Sequence, residues 1–405
     1  MLTFKIAFRN IFRQKRRSLL TSLTIFGGFA LATFSIGWAD GSYNFIINMF
    51  TRNDLGHIQV HFGNYRERPS LYKTINNYQQ IGKKLDSLKS IEAWSPRLYS
   101  AGLVSVNDNS SGAQIIGIDP LREEKATRFD KKIIKGNNFL PTASHEAILG
   151  KGLAKVLNAD IGDDIVIVSQ GADGSIANDV YKIVGIMTSD NEAGDRMSIY
   201  LHLAEAQELL VLPNQIHEIA VIAGKLSDVK KLTNQIEKLM QNSNLEVSPW
   251  QVFAKSFYQA MKADKEGMWI MLFVIMLIVA IGVLNTVLMS VLERQREYGV
   301  LKAVGTRPFD IFWLVIQEVV ILSVFSICIG AVLGTLMNYL LSFHGITLPQ
   351  AFTYGGMEFK TMYTEVNARS IIIPTITVIF SAIIISFFPA LKAAHTEPAK
   401  TMRIH

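Results

Sequence analysis

Residues 267–292 read GMWIMLFVIMLIVAIGVLNTVLMSVL, 26 positions without a charge. A helix needs about 20 such residues to cross the hydrocarbon of a bilayer, and helices in a soluble core rarely stay uncharged so long. Three more stretches behave alike. Residues 18–39 and 370–391 hold 22 uncharged positions each, and 311–343 holds 33 whose only ionisable carboxylate is Glu318. The first run follows a basic leader as a signal peptide would, yet the apolar region of a signal peptide spans only about 7–15 residues. The expectation is an integral membrane α-helical protein with four transmembrane helices, at 18–39, 267–292, 311–343 and 370–391.

Around these runs lie 405 residues, 49% hydrophobic and 18% charged, with 40 Lys+Arg against 34 Asp+Glu and a net charge of +6. A mean hydropathy of +0.24 argues against a wholly soluble or disordered chain. A net positive charge alone could mark a nucleic-acid binder; its placement says otherwise. Residues 1–17 carry Lys5, Arg9, Arg13, Lys15, Arg16 and Arg17 and no acid, so this end is expected in the cytoplasm. Alternating spans then put 40–266 and 344–369 outside, and 293–310 and 392–405 inside. The three inner segments hold 13 Lys+Arg against 4 Asp+Glu, whereas 40–266 holds 25 against 27. The excess charge is a topology signal, and no nucleic-acid partner is expected.

The 227 residues of 40–266 are too many and too patterned for a loop. Strand-like runs occur at 57–62, 114–118, 164–168, 181–186 and 218–222, and helical periodicity at 78–89, 203–211 and 226–240. Turn chemistry at 107–109, 171–174 and 191–195 separates them. A large extracytoplasmic α+β domain inserted between helices 1 and 2 is expected, with two subdomains, one built from both ends of the segment and one inserted between them.

Chemistry-bearing motifs are missing. No Gly-x4-Gly-Lys-Ser/Thr loop exists to wrap phosphates, and Gly150-Lys151-Gly152 lacks both the upstream glycine and the hydroxyl. His145-Glu146 and His217-Glu218 open like zinc-protease helices, but neither has a second histidine four residues after the first. Cys328, the single cysteine, lies within an apolar run, where a packed thiol is expected. No catalytic or metal-binding residue is assigned.

Two segments stand out. The leader places Phe4, Phe8, Ile11 and Phe12 along one side of a helix and Lys5, Arg9, Arg13 and Arg16 along another; it reads equally as an amphipathic interfacial helix or as a basic anchor. Residues 293–310 open with alternating charges, where Glu293, Arg296 and Glu297 sit at spacings that allow local ion pairs on a helix, beside a small apolar surface of Val300, Leu301, Ala303 and Val304 that suits docking into another protein's groove.

The run from Asn285 to Thr306, with Ser290, Glu293, Arg294, Arg296, Glu297, Gly299, Lys302, Ala303 and Gly305, resembles the signature of FtsX-like permeases, the membrane subunits of type VII ABC transporters, including the MacB type. Ala7-Phe8-Arg9-Asn10-Ile11 through Arg16-Arg17-Ser18 resembles that family's opening, and Pro389-Ala390 through Pro398 to Arg403 its close. Gly117-Ile118-Asp119-Pro120, 149–154 and 184–186 resemble its MacB-like periplasmic core domain. Gly56-His57-Ile58-Gln59-Val60-His61 with Tyr65, and Ser95-Pro96-Arg97-Leu98, look most like the lipoprotein-releasing LolC/LolE permeases.

The resemblance implies a bacterial inner-membrane dimer, of two copies or two paralogues, with both termini cytoplasmic. It implies no cofactor on this chain, ATP and Mg being held by a separate cytoplasmic ATPase. Glu293, Arg294, Arg296, Glu297, Gly299, Lys302, Ala303 and Gly305 would form the ATPase-coupling segment, and Lys5, Arg9, Arg13, Arg16, Arg17 and Glu318 the membrane-interface set. Glu318 either anchors the coupling region or is a plain interfacial carboxylate. Gly27, Gly28, Gly37, Gly282, Gly330 and Gly334 are candidates either for close approach at a dimer interface or for ordinary helix packing. The implied work is mechanotransmission that extracts lipoproteins for a periplasmic chaperone. Efflux of peptides, toxins or macrolides, or signalling to a cell-wall hydrolase, are the alternatives.

Overall fold

The structure, a computed structural model, describes residues 2–13, 15–189, 191–241, 244–354 and 357–397. The closing motif from Pro398 to Arg403 therefore lies outside the described residues. The chain divides into two compact units, one of residues 1–43, 261–349 and 361–405, the other of 44–260 and 350–360.

Among the described residues, four helices are long and apolar enough to cross a membrane. Helix α1 (Leu2–Arg13) precedes α2 (Lys15–Phe50), and α3 (Lys255–Glu293) precedes a short α4 (Gln295–Ala303), α5 (Pro308–His344) and α6 (Arg369–Ala394). The helices overrun the uncharged stretches: α2 incorporates Lys15 to Arg17 at one end and continues past Asp40 at the other, and α3 begins twelve residues ahead of residue 267. Hydropathy marks where a helix meets lipid, whereas a helix ends where its backbone hydrogen bonds end, and water tolerates charged turns. The 36 residues of α2 span about 54 Å, against about 30 Å of hydrocarbon.

In the first unit, Ile25 and Phe29 of α2, Val279, Val283 and Val287 of α3, Leu314 and Val319 of α5, and Val378 and Ala382 of α6 form one buried cluster. Outward-facing Ile270, Phe273, Phe325 and Phe380 are each more than 60% exposed, the apolar exterior that lipid requires. Five of the six candidate glycines pack against neighbouring helices of the same chain. Gly28 faces Val279, Gly282 faces Thr24, Gly330 faces Phe29, Gly334 faces Thr33 and Gly37 faces Asn338, so a methyl group at any of them meets a neighbouring helix. Only Gly27 of the six has nothing near its missing Cβ.

The second unit is an α+β domain built on a ten-stranded mixed sheet. Its strands are β1 (Ile58–Phe62), β2 (Ile91–Val106), β3 (Asn109–Ile118), β4 (Ile133–Gly136), β5 (Glu146–Gly150), β6 (Asp164–Gln170), β7 (Ile176–Met187), β8 (Ser198–His202), β9 (Glu218–Ala223) and β10 (Leu245–Pro249). The order is β10-β1-β9-β2-β3-β8-β5-β7-β4, with β6 pairing to both β2 and β7. The pairs β3·β8 and β5·β7 are parallel. Strands from both ends of the segment, β10, β1 and β9, lie at one end of this one sheet and the strands between them, β5, β7 and β4, at the other, with the 16-residue β2 in between. Asn107, in the left-handed region at φ 50°, makes the two-residue turn that pairs Val106 with Asn109. Helices Tyr78–Asp86, Leu203–Leu209 and Val229–Leu239 cover the expected periodic segments, and Pro120–Thr127 is capped by the Asp119 carboxylate, which accepts from the Arg122 N–H. Residues 344–369, expected as a loop, contain the hairpin β11 (Ile346–Tyr354) and β12 (Met357–Met362).

His57, His61, Tyr65 and Arg97 pack within the second unit. His57 Nδ1 accepts from the Ala223 N–H at 3.0 Å, and Tyr65 stacks between the rings of His61 and His217. His61 Nε2 donates to Glu218 at 3.1 Å, and Arg97 joins Glu218 at 3.2 Å to Glu123 at 2.6 Å. Burial pushes the Glu123 and Glu218 carboxyls up, but Arg97 in the first case and His61 with Arg97 in the second hold both below the usual range. Burial, with Arg52 adding to it, holds His57 down to about 4 from 6.5. His217 is lowered too, mainly by burial; its Nδ1 already accepts from the Tyr99 N–H, a bond that protonation would destroy.

Two acid-sensitive windows result. The histidine contribution is complete above pH about 6.5 and is lost as pH falls toward 4, because the unfolded chain then takes up protons that the folded chain refuses; the carboxylate contribution is lost below pH about 4.3. His57 alone accounts for about 3 kcal/mol. Unfolding midpoints of the full-length protein in detergent should fall between pH 6.5 and 4.5. His57→Asn, which keeps an acceptor for the Ala223 N–H, should flatten that slope; an unchanged slope contradicts the assignment.

Candidate functional site

Glu318 lies nearly three turns into α5. Both its oxygens accept from Arg294 Nη1, at 2.9 and 2.8 Å, and one also accepts from the Asn10 amide at 2.7 Å. Arg294, the residue between α3 and α4, donates through Nε to Glu297 at 2.9 Å, and Glu297 is bonded to Arg13 as well. The Arg294 guanidinium rests over the Tyr298 ring, 5.1 Å from its centre. One ionic cluster therefore ties α1, α4 and α5 together where the chain leaves α3.

Burial makes the cluster strong. The side chains of Arg294 and Glu318 are 5% and 13% exposed. A buried charge without its partner is expensive, whereas a planar guanidinium with several acceptors is satisfied. Burial pushes the Tyr298 hydroxyl up, with Arg294 opposing the effect. A cavity of about 40 Å³ sits among Asn10, Ser18, Thr286, Ser290, Tyr298 and Glu318, a polar pocket within the clamp.

Helix α4 has two faces. Tyr298 and Gly299 are buried, and Lys302 Nζ donates to the carbonyls of Ala394 and Thr396, both at 2.9 Å, so a cation sits against the C-terminal end of α6. Arg296 and Ala303 face outward with Val300 at 51% and Val304 at 83% exposure. Gly305 adopts φ 101° and ends the helix in a conformation a side chain resists, before Pro308 opens α5.

The expected coupling residues thus separate. Arg294, Glu297, Gly299 and Lys302 hold the segment in place, whereas Glu293, Arg296, Ala303 and Gly305 lie on its exposed side. Among the charges at helix spacing, Glu297 pairs with Arg294 three residues before it, and also with Arg13 of α1. Asn10 and Tyr298 belong to the clamp and were not singled out, although Asn10 stands one turn from Arg13 and Tyr298 one turn from Arg294.

On α1, Lys5 and Arg9 are exposed together with Phe4, Phe8 and Phe12, and Ala7 is fully buried. Arg13 and Arg16 are exposed too, and the Arg17 side chain lies outside the described residues. Among the described residues, no group of three or more His, Cys, Asp or Glu is placed to hold a metal ion.

Comparison with known proteins gives two family matches: a MacB-like periplasmic core domain over residues 18–239, and an FtsX-like permease C-terminal region over 269–398. The macrolide export ATP-binding/permease protein MacB of Campylobacter jejuni is 26% identical over 98% of this chain and 61% of its own length. The chain so spans about three fifths of such relatives. The lipoprotein-releasing system transmembrane protein LolC of Neisseria meningitidis is 20% identical over 82% of each chain. An uncharacterized ABC transporter permease of Methanocaldococcus jannaschii is 24% identical over 100% of this chain and 97% of its own. The periplasmic region of MacB from Actinobacillus actinomycetemcomitans is similar over 50% of this chain and 92% of its own, at 14% identity and a TM-score of 0.38.

Arg294→Ala or Glu318→Ala should each destabilise the protein by about 3–5 kcal/mol, since each strands a buried charge. Arg296→Ala should change stability by no more than about 0.5 kcal/mol. Thermal unfolding in one detergent compares them; equal melting temperatures for Arg294→Ala and Arg296→Ala would refute the clamp.

Proposed function

The chain belongs to the family of the MacB-like periplasmic core domain, and on that premise we propose that it is the permease subunit of an ABC transporter worked by a separate cytoplasmic ATPase. It lies in the bacterial inner membrane with both termini and α4 in the cytoplasm and the α+β domain in the periplasm, an orientation supported by the basic inner segments. It pairs with a second copy or a paralogue.

The observation that carries this reading is the clamp of Arg294 on Glu318. The partner ATPase seats on the exposed side of α4, where Arg296, Val300, Ala303 and Val304 combine a charge with an apolar strip of the kind a protein groove accepts. When ATP drives the ATPases together, a push on α4 passes through buried ion pairs into α5 and α1, and through Lys302 into α6. Packed helices respond by switching between discrete arrangements. No covalent bond is made or broken on this chain.

The cargo we propose is a lipoprotein, drawn from the inner membrane and passed to a periplasmic chaperone, in line with the LolC relative and the motif from Gly56 to Tyr65. A second reading, efflux of a macrolide, peptide or toxin, is supported by the MacB relative. The deciding experiment reconstitutes the permease with its ATPase, a labelled triacylated lipoprotein and the chaperone. ATP-dependent transfer supports release; no transfer, with ATP-dependent movement of a macrolide or peptide instead, favours efflux.

For the coupling role, Val300→Glu and Val304→Glu should each weaken co-purification of the ATPase by on the order of tenfold or more while the melting temperature of the permease stays unchanged. Full retention of the ATPase by both variants would exclude α4 as its seat.

A further inference from the structure

At the end of the bundle opposite Glu318, three helices carry a charge one turn beyond a shared apolar groove. Asp40 stands four residues after Ile36 on α2, Lys265 four residues before Trp269 on α3, and Arg369 four residues before Ile373 on α6. Ile36, Trp269 and Ile373 line a groove of about 420 Å³ that runs along α3 to Ala280, a size typical of ligand sites, which are roughly 300–1,000 Å³.

The charges form a built collar over its mouth. Asp40 is 8% exposed and accepts from Arg369 Nη1 at 3.2 Å and from Asn367 Nδ2 at 3.1 Å, with Lys265 Nζ at 3.7 Å. Arg369 also lies over the Trp269 ring, 5.6 Å from its centre. Two cations share one carboxylate, and they stay 43% and 35% exposed. Both cations thus reach the surface at the edge of an apolar slot, beside Trp269, a residue type that membrane proteins enrich at the headgroup level.

A hydrocarbon chain with an anion at its end matches both features. We propose that this groove seats one acyl chain of an anionic phospholipid, with the lipid phosphate paired to Lys265 and Arg369 and both cations held in position by Asp40. The lipid is a resident of the bundle, distinct from any transported cargo, and its site does not depend on what the transporter moves.

The test reconstitutes the full-length protein in phosphatidylcholine vesicles that contain either phosphatidylglycerol or phosphatidylcholine with brominated acyl chains, and reads the tryptophan quenching that Trp269→Phe removes. Brominated phosphatidylglycerol should quench this component at several-fold lower content than brominated phosphatidylcholine. Lys265→Gln/Arg369→Gln should lower the preference by on the order of tenfold. Ala280→Phe, which fills the slot and leaves the collar whole, should abolish the quenching, and it tests the site even if the double variant does not fold. Equal quenching by the two lipids overturns the proposal. So does absence of Trp269-dependent quenching by either lipid, the result expected if a second copy of the chain covers the groove.

Discussion

A guanidinium and a carboxylate taken out of water must find each other, and the first unit is arranged so that Arg294 and Glu318 do. Either alone would be an unpaired charge in a low-dielectric setting; together, with Asn10 and Glu297 completing their hydrogen bonds, they are satisfied. The pair fixes the start of α4 against α5, and Asn10 and Arg13 bring α1 to the same point. Since Arg294 is the residue at which α3 stops, a displacement of α4 cannot be absorbed locally without breaking a buried ion pair.

The bundle carries a second ionic assembly of similar logic at its far end, where Asp40 gathers Lys265 from α3, Asn367 from the residues just before α6 and Arg369 from its start. Between these assemblies the contacts are apolar and close, with glycines of α2, α3 and α5 set against side chains of neighbouring helices. Apolar packing in lipid resists separation without specifying one depth or rotation, since lipid chains are as apolar as the helices. Buried charges at each end supply that specification, and each sits where it also bears on what lies next to it: the exposed face of α4 at one end, an apolar slot with a positive rim at the other.

Much of this was legible in the sequence, and the rest was not, for identifiable reasons. Apolar runs of 22 to 33 residues with at most one charge exceed anything a soluble core requires, so the four long helices could be read directly. Their ends could not, because α2 and α3 continue as helix where charges appear. Strands with alternating or continuous apolar residues were visible at 57–62 and 218–222, but the hairpin at 346–362 was not, its nine-residue first strand, ITLPQAFTY, containing a proline and little alternation. Glu318 was conspicuous, and so was Arg294, but the sequence shows only neighbours three or four residues apart, and their pairing spans 24. The same limit hid the collar, whose members come from positions 40, 265 and 369. His57, His61 and Tyr65 stand out as a motif; only the fold reveals that His61 and Tyr65 pack against Glu218 and His217 while His57 accepts from the Ala223 N–H.

The central claim is that force applied to α4 reaches the bundle through the Arg294–Glu318 pair, and a charge swap tests it most directly. Spin labels on the exposed surfaces of α2 and α5 would report nucleotide-dependent distance changes in the permease bound to its ATPase. Arg294→Glu and Glu318→Arg should each abolish the change while the ATPase remains bound, and the two together should restore it. Distance changes that persist in either single variant, or that stay absent in the folded double variant, would contradict the claim.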